Sequence, residues 1–330
     1  MTTEDIKELY YTYNTRGDTP FTLSPYFEAS LDRAIARGDI REDHLSSIGL
    51  GLVEDLRTYA QSNKVHTVVI GMSGGIDSAL TASLFKAAGW NVIGVTMPIH
   101  QLEDETSRGI EACHALDIKH EHVDLSSVYD NLVEFYQSND VDFNTELMSG
   151  IPQEQAKRKG NLRARLRMIT LYNYASKNSG IVASTDNFSE LAAGFWTLHG
   201  DVGDVAPIQS LTKSWEVPML SSIMKVPEHI ITATPTDGLG ISTGDESQFG
   251  HSYAQLDLAL LDAMHNVQVH RHNPSQEDLD IIKKIEHRIA STTFKRVNPV
   301  NCMHPMSGDW RYQQLALLDK HLIANNLGEN

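Results

Sequence analysis

The chain has 330 residues, enough for one large domain or two smaller ones, and its 41% hydrophobic and 21% charged residues are typical of a globular protein. Acidic residues outnumber basic ones by 43 to 27, and the resulting formal charge of −16 argues against nucleic-acid and anionic-membrane partners. Two cysteines are too few for a disulfide scaffold, and without a signal-peptide pattern or a long apolar run the sequence predicts a soluble cytoplasmic protein.

Helices and strands are predicted to alternate from residue 45 onward. Residues 1–44 are predicted to be an N-terminal extension of unassigned role, with a short helix that ends at Gly38. The alternating part consists of helix 45–63, strand 67–72, helix 76–88, strand 91–98, helix 104–116, strand 118–125, helix 126–137, a long helix or helix pair over 152–178 and strand 180–185. After Pro207 the chain is predicted to be mainly helical.

This alternation predicts an α/β fold whose doubly wound parallel sheet carries helices on both faces, with extra helices at both ends of the chain. One domain over residues 45–300 accounts for the pattern better than two independent domains. Residues 301–330 are expected to form a C-terminal tail that packs on this domain.

The loop after the first predicted strand is the most distinctive stretch. Ser73, Gly74 and Gly75 follow the strand, and Asp77 and Ser78 open the next helix. Because such a loop lies at the carboxyl edge of a parallel sheet, its glycines, hydroxyls and helix N-terminus suit a phosphate, and Asp77 could hold magnesium. The alternative is a tight turn in which Asp77 only caps the helix. The segment lacks the lysine of the common phosphate loop and matches neither that motif nor the dinucleotide-binding motif.

This segment resembles the SGGxDS loop of the N-type ATP pyrophosphatases, a superfamily that includes NAD, GMP and asparagine synthetases. Its members cleave ATP between the α and β phosphates, adenylate a carboxylate or carbonyl oxygen, and let a nitrogen nucleophile displace AMP. The resemblance implies a Rossmann-like, adenine nucleotide alpha hydrolase-like fold. It also implies that the pyrophosphate is bound by Gly71, Met72, Ser73, Gly74, Gly75, Ile76, Asp77 and Ser78.

Four further stretches, in the right order, resemble ammonia-dependent NAD synthetase and extend the similarity over about residues 45–300. They are residues 160–168, 184–213 and 233–257 and the late Lys295-Arg296. The resemblance implies that Asp77 and Glu190 hold Mg²⁺ and act in catalysis with Lys213. It places the ATP co-substrate also against Thr185, Lys213 and Thr236, and nicotinic acid adenine dinucleotide against Arg165, Asp204, Phe294 and Lys295.

Three departures from the family pattern bear on the substrate. Leu198 replaces a lysine that contacts the substrate in the family, the loop from Gly200 to Pro207 is one residue shorter than usual, and Phe294 stands where some members have histidine. Two alternatives therefore stay open: a related adenylating ligase that acts on another carboxylate, and a non-catalytic nucleotide-binding module. Arg165 also has a plainer interpretation, because Arg163, Arg165 and Arg167 could form a solvated helix face.

The nitrogen donor is expected to be free ammonia. Glutamine-dependent members need an amidase domain with a catalytic cysteine, and residues 1–44 are too short for one and contain no cysteine. The alternative is that a separate glutaminase subunit supplies the ammonia. The resemblance further implies a homodimer whose substrate site lies across the interface.

Overall fold

Four short parallel strands form the sheet on which the rest of the chain is built, in the order β3-β2-β1-β4. The computed structural model describes residues 1–15, 20–101, 103–139, 152–234 and 244–296, with the backbone alone for 152–155. The strands are β1 Thr67–Gly71, β2 Asn91–Thr96, β3 Lys119–His122 and β4 Ile181–Val182. Their parallel pairing confirms the predicted α/β class.

The helices agree with the predicted order. They are α1 Thr3–Asn14, α2 Pro25–Arg37, α3 Leu45–Asn63, α4 Ile76–Ala87, α5 Glu103–Ala115, α6 Ser126–Asn139, α7 Pro152–Lys177, α8 Phe188–Ala193, α9 Glu216–Ile223, α10 Glu228–Ile231, α11 Asp245–Phe249, α12 Tyr253–Met264, α13 Gln276–Ser291 and α14 Thr293–Arg296, with a 3₁₀ turn at Val269–His272. The stretch over 152–178, predicted as one helix or two, is the single helix α7. The helix predicted to end at Gly38 is α2, and Gly38 terminates it in the left-handed conformation.

Both faces of the sheet are covered by helices, which explains why β1 is a continuous apolar run. Val68 and Ile70 belong to one apolar cluster, with α3, α4 and α9, whereas Val69 belongs to a second cluster with α6 and α7. Because successive side chains of a strand point to opposite faces, all three are buried. Among the described residues, no helix is long and apolar enough to cross a membrane.

The strand order creates a crevice beside β1. From β1 the chain moves outward to β2 and β3, and then returns to add β4 on the other side of β1. The loops after β1 and β4 therefore leave the sheet edge side by side and diverge. In open α/β sheets this is the place where ligands bind.

Helices α1 and α2, from the predicted N-terminal extension, pack in a third apolar cluster. Fully buried Tyr10, Phe27 and Leu31 meet side chains of α12 and α13 there. Ser24 caps α2 and Thr2 caps α1, so both helices begin at defined residues. Residues 1–290 form one compact unit and residues 291–330 a second, of which the short helix α14 is described.

Acid sensitivity is expected from His120 on β3, which shares the Thr96 hydroxyl with His122 and also faces His114. Burial, together with the two neighbouring imidazoles, lowers the pKa of His120 against a small opposing effect of Glu121. As pH falls through about 6.5, His120 takes up a proton in the unfolded chain but stays neutral in the folded chain. Protonation therefore stabilises the unfolded chain, and the free energy of unfolding decreases.

Replacing His120→Gln should flatten the dependence of the unfolding free energy on pH between pH 7.5 and 5.5, as measured by urea denaturation. His66→Gln is the matched control, because His66 is exposed in the folded chain as it is in the unfolded chain. An unchanged slope in His120→Gln would contradict the assignment.

Candidate functional site

The loop after β1 is held in one conformation by a glycine and two serines. Gly74 has a φ of +84°, and a Cβ built on it would lie 2.3 Å from the carbonyl oxygen of Glu105 at the start of α5. Ser73 Oγ accepts from the amide of Gly75 at 3.2 Å and lies 3.3 Å from Ser78 Oγ. Ser78 Oγ donates to the Gly75 carbonyl at 2.9 Å. The loop therefore presents a preformed concave backbone at the sheet edge.

Helix α4 begins directly at this loop and has no side-chain cap. Gly75 is the N-cap residue, and no side chain bonds to its first amide groups. The amides of Ile76, Asp77 and Ser78 have no intrahelical acceptor, so they and the helix dipole offer a positive end to an anion. The alternative that Asp77 serves only to cap α4 is therefore wrong, since its carboxylate bonds elsewhere.

Asp77 forms an ion pair with Lys213, which lies 136 residues further along the chain. Asp77 Oδ2 accepts from Lys213 Nζ, and Oδ1 accepts from Asn187 Nδ2 at 3.1 Å. The Lys213 side chain is 5% exposed, and its ammonium also lies 5.6 Å from the centre of the Tyr253 ring. The structure thus brings two of the three predicted catalytic residues into direct contact.

Glu190 reaches the same place from α8, after β4. Asn187 and Glu190 form a reciprocal capping box, with Glu190 Oε2 accepting from the Asn187 amide at 3.2 Å and Asn187 Oδ1 accepting from the Glu190 amide at 3.1 Å. Glu190 Oε1 accepts from Tyr253 Oη at 3.3 Å. Asn187 therefore links Asp77 to Glu190, and the third predicted catalytic residue is a half-buried member of the site rather than a surface carboxylate.

The site carries more negative than positive charge. Burial and then the nearby Asp77, with further contributions from Asp245 and Asp186, raise the pKa of Glu190 well above its usual range, although Lys213 opposes them. Burial alone would lower the pKa of Lys213, but Asp77 and Glu190 outweigh it and the pKa is raised. Lys213 is therefore charged, and within the described part of the chain its ammonium faces the carboxyl groups of Asp77, Glu190 and Asp245.

This donor set fits a magnesium ion. No group of three or more His, Cys, Asp or Glu side chains that could hold a metal exists within the described ranges. Mg²⁺ usually binds through one or two carboxylates, with phosphate and water oxygens completing its shell, so Asp77 and Glu190 suffice. Each of their oxygens accepts one hydrogen bond and keeps a second lone pair. Asp186, buried beside them, has an oxygen Oδ1 without any hydrogen-bond partner.

The residues expected to contact the substrate lie further out. Arg165, on α7, is exposed, and its Nε donates to the carbonyl of Leu198 at 3.2 Å. Its neighbours are not a solvated helix face: Arg163 stacks 4.8 Å from the ring of Tyr129, and Arg167 Nε donates to the Met97 carbonyl at 3.2 Å. Of these three arginines on α7, Arg165 is thus the exposed one, and the other two are half-buried.

Asp204 holds the chain beside β4. Its Oδ2 accepts from the amide of Val182 at 2.9 Å and its Oδ1 from the hydroxyl of Tyr172 at 2.9 Å, while its own amide donates to the Val182 carbonyl. These contacts place the Asp204 segment alongside β4, on the side away from β1. Its expected contact with a substrate remains a prediction.

Most of the remaining predicted site residues lie in or beside the loop after β1, in the segment after β4 and in α14. Gly71 ends β1, and Met72 and Ile76 are buried on either side of the loop. Thr185 is half-buried in the segment between β4 and α8. Phe294 and Lys295 lie in α14 of the second unit, where Phe294 is exposed. Thr236 lies outside the described residues.

Sequence reasoning missed two members of the site. Asn187 could have been found from the Asn-x-x-Glu spacing, which is a helix-start signature. Tyr253 is fully buried, and its hydroxyl lies within hydrogen-bond distance of both Glu190 Oε1, at 3.3 Å, and Asp245 Oδ2, at 3.1 Å; no local pattern marks this residue. Both residues hold the carboxylates in place.

Comparison with known proteins gives a consistent result. The model of the NAD synthase family matches residues 50–299. The NH(3)-dependent NAD(+) synthetase of Alkaliphilus metalliredigens is 33% identical over 246 residues, 74% of this chain and 93% of that protein. The enzyme of the same name from Mycoplasmopsis pulmonis is 35% identical over 257 residues, 76% of this chain and 88% of that protein.

Solved structures share the fold. The NMN synthetase from Francisella tularensis superimposes with a TM-score of 0.66 at 28% identity, over 79% of this chain and 99% of that one. The NH3-dependent NAD synthetase from Campylobacter jejuni has a TM-score of 0.61 at 24% identity, over 78% of this chain and 99% of that one.

Proposed function

The chain belongs to the NAD synthase family of ATP-dependent amide ligases, and from this premise we propose that it joins ammonia to the nicotinate carboxylate of nicotinic acid adenine dinucleotide, yielding NAD, AMP and pyrophosphate. One observation carries the proposal. The phosphate-type loop, the buried Lys213 and the carboxylates of Asp77 and Glu190 meet at the crevice between β1 and β4.

In the proposed reaction the nicotinate carboxylate attacks the α-phosphate of ATP, and the bond to the leaving pyrophosphate breaks. Ammonia then attacks the carbonyl of the acyl-adenylate, AMP leaves and one proton is released. The loop amides after Ser73 and the N-terminus of α4 bind the pyrophosphate, and Lys213 neutralises its growing charge. The chain's contribution is positioning and charge, and no side-chain nucleophile is needed.

Asp77 and Glu190 would hold Mg²⁺, which supplies Lewis-acid stabilisation of phosphate oxygens when bound. Asn187 fixes both carboxylates by bonding to each. Lys213 orients the Asp77 carboxylate through their ion pair before ATP arrives.

A second candidate is amidation of the corresponding mononucleotide, nicotinic acid mononucleotide. Two observations favour it: the similarity to the Francisella NMN synthetase, and Leu198 in place of the substrate-contacting lysine of the family pattern. The crevice and its charges serve either substrate, because both present the same nicotinate carboxylate to ATP.

The decisive experiment supplies purified protein with ATP, Mg²⁺ and ammonium, and with either the dinucleotide or the mononucleotide acid. Chromatography follows NAD or NMN together with AMP. The proposal requires equal amounts of NAD and AMP and a higher kcat/KM for the dinucleotide; a higher value for the mononucleotide establishes the second candidate. Absence of AMP with both acids would favour a non-catalytic module. Glutamine replaces ammonium in a parallel reaction, which should give no product.

We also infer a homodimer that covers α6 and α7. These helices expose large apolar side chains: Phe135, Tyr136, Ile169 and Tyr172 are 38–67% exposed. A cavity of about 200 Å³ opens between the two helices, and Arg165, an expected substrate contact, lines it. A second copy on this face would bury the apolar side chains and close the cavity.

Ile169→Glu is expected to convert the dimer to a monomer in sedimentation-velocity experiments, because it places a charge in an apolar interface. Met264→Glu is the matched control, since Met264 is also an exposed apolar residue but lies at the end of α12. A parent protein that sediments as a monomer, or a dimer that persists in Ile169→Glu, would refute this interface.

A further inference from the structure

We propose that the N-terminal helix α1 positions Lys213 for its reaction, through hydrogen bonds from Tyr10 and Asn14 to the adjacent Ser214. The inference rests on the proposed function, in which Lys213 neutralises the phosphates of ATP. The family match begins at residue 50, so α1 lies outside it. Tyr10 and Asn14 would thus be positioning residues that lie outside the range matched by the family model.

Ser214 is held by α1 at both its side chain and its backbone. Tyr10 Oη donates to Ser214 Oγ at 3.3 Å, and Asn14 Nδ2 donates to the Ser214 carbonyl at 3.0 Å. Tyr10 is completely buried and Asn14 is 6% exposed. Because buried polar groups are costly without partners, each of the two side chains depends on the position of Ser214, and Ser214 depends on them.

The next residue is held by the same N-terminal extension. The ring of Tyr10 lies 6.3 Å from that of Trp215, which is 1% exposed. Trp215 Nε1 donates to the carbonyl of Arg41 at 3.1 Å. Residues 1–44 therefore contact two successive residues immediately after Lys213.

The backbone around Lys213 needs such support because it belongs to no helix or strand. Residues 213–215 form a turn, and α9 begins after Trp215 without a side-chain cap. On the other side, Ser189 Oγ accepts from the Lys213 amide at 2.9 Å, and Asp257 Oδ2 accepts from the Ser214 amide at 2.8 Å. The turn is thus held by α8, by α12 and by α1.

Helix α1 is itself fixed to the rest of the molecule. Tyr11 bonds to Glu28 of α2. Ser30 of α2 donates to Asp262 Oδ2 at 2.7 Å, and Arg37 Nη1 donates to Asp262 Oδ1 at 3.2 Å. Asp262 lies on α12, the same helix that carries Asp257. This frame gives α1 a defined place from which to hold Ser214.

The test combines Tyr10→Phe with Asn14→Ala, which removes both hydrogen bonds and touches no group that meets ATP. We expect kcat/KM for ATP to fall about ten- to a hundred-fold, because displacement of a catalytic group by about 1 Å has effects of this size. KM for the carboxylate substrate should stay within about two-fold of the parent value, since Lys213 acts on ATP. Tyr26→Phe is the matched control: Tyr26 is 3% exposed in the same apolar cluster and lies on α2.

A double-mutant cycle separates positioning from general loss of stability. In a Lys213→Met background, the Tyr10→Phe and Asn14→Ala pair should change kcat/KM for ATP by less than about two-fold, because the group it positions is gone. An equal fold-decrease in kcat/KM with and without Lys213 would overturn the inference. Parent-like activity of the Tyr10→Phe, Asn14→Ala variant that retains Lys213 would also overturn it. If the combination does not fold, Tyr10→Phe alone should lower the activity about three-fold, again only when Lys213 is present.

Failure of the proposed function would look different. A parent protein without turnover on either nicotinate substrate refutes that function before any variant is made. In that case the same double-mutant cycle is measured with the affinity for ATP, determined by calorimetry, in place of kcat/KM. It should weaken about ten-fold on loss of the two hydrogen bonds only in chains that retain Lys213, and equal affinities would overturn the positioning role.

Discussion

Asp77→Asn is expected to lower turnover by roughly 10²- to 10³-fold or more, because it removes the bonded partner of Lys213 and a carboxylate that we propose holds Mg²⁺ at the pyrophosphate. The same change should lower the free energy of unfolding by about 3 kcal/mol, because it removes the one carboxylate that bonds directly to the buried ammonium of Lys213 among the described residues. Steady-state assays and urea denaturation measure the two effects separately.

The control for this prediction is the double variant Asp77→Asn with Lys213→Met. It removes both charges, so stability should return close to that of the parent, whereas turnover should stay low. Near-parent turnover in Asp77→Asn would contradict the role assigned to this carboxylate. Recovery of turnover in the double variant would show that the single variant had failed only through its stability.

Gly74→Ala is expected to have the next largest effect, because two costs coincide at this residue. A φ of +84° disfavours any side chain by about 1–2 kcal/mol. In addition, the new Cβ would lie 2.3 Å from the Glu105 carbonyl oxygen and 3.1 Å from Arg108 Cβ, so the loop and α5 must move apart. We expect turnover to fall about 100-fold, since the loop amides would no longer converge on the proposed pyrophosphate site.

Gly89→Ala is the matched control, because it introduces the backbone strain of a positive φ without the steric clash. Gly89, after α4, has the same φ of +84°, but nothing lies within 4 Å of an added Cβ. This variant should lose about 1 kcal/mol of stability and keep parent turnover. Equal losses of activity in Gly74→Ala and Gly89→Ala would show that the close approach to α5 is not important for the loop.

The loop and the order of elements could be predicted because they depend on local patterns. An apolar run followed by Ser73, Gly74 and Gly75 and then by a helix specifies a strand, a turn and a phosphate-type loop wherever it occurs. The amphipathic helices and short strands can likewise be predicted from the spacing of their hydrophobic residues. The parallel sheet followed from their alternation.

Contacts over long distances in the chain could not be predicted in this way. Asp77 and Lys213 were both expected to meet ATP, but nothing in the sequence indicated that they bond to each other across 136 positions. The contacts of Asp204 with Val182 and Tyr172 were equally hidden, since they depend on how the chain returns beside β4. The residues of α1 carried no signal, because their partner Ser214 is about 200 positions away.

The separation of Asp77 from Lys213 along the chain has a consequence for biosynthesis. A ribosome that has just added Asp77 must add a further 136 residues before the cation of the site exists. Until then the nascent polypeptide lacks the positive side chain of the site, and before residue 190 it also lacks the carboxylate of Glu190. A chain that stops short of residue 213 is therefore expected not to split ATP, because the ammonium that faces the pyrophosphate in the proposed reaction is missing.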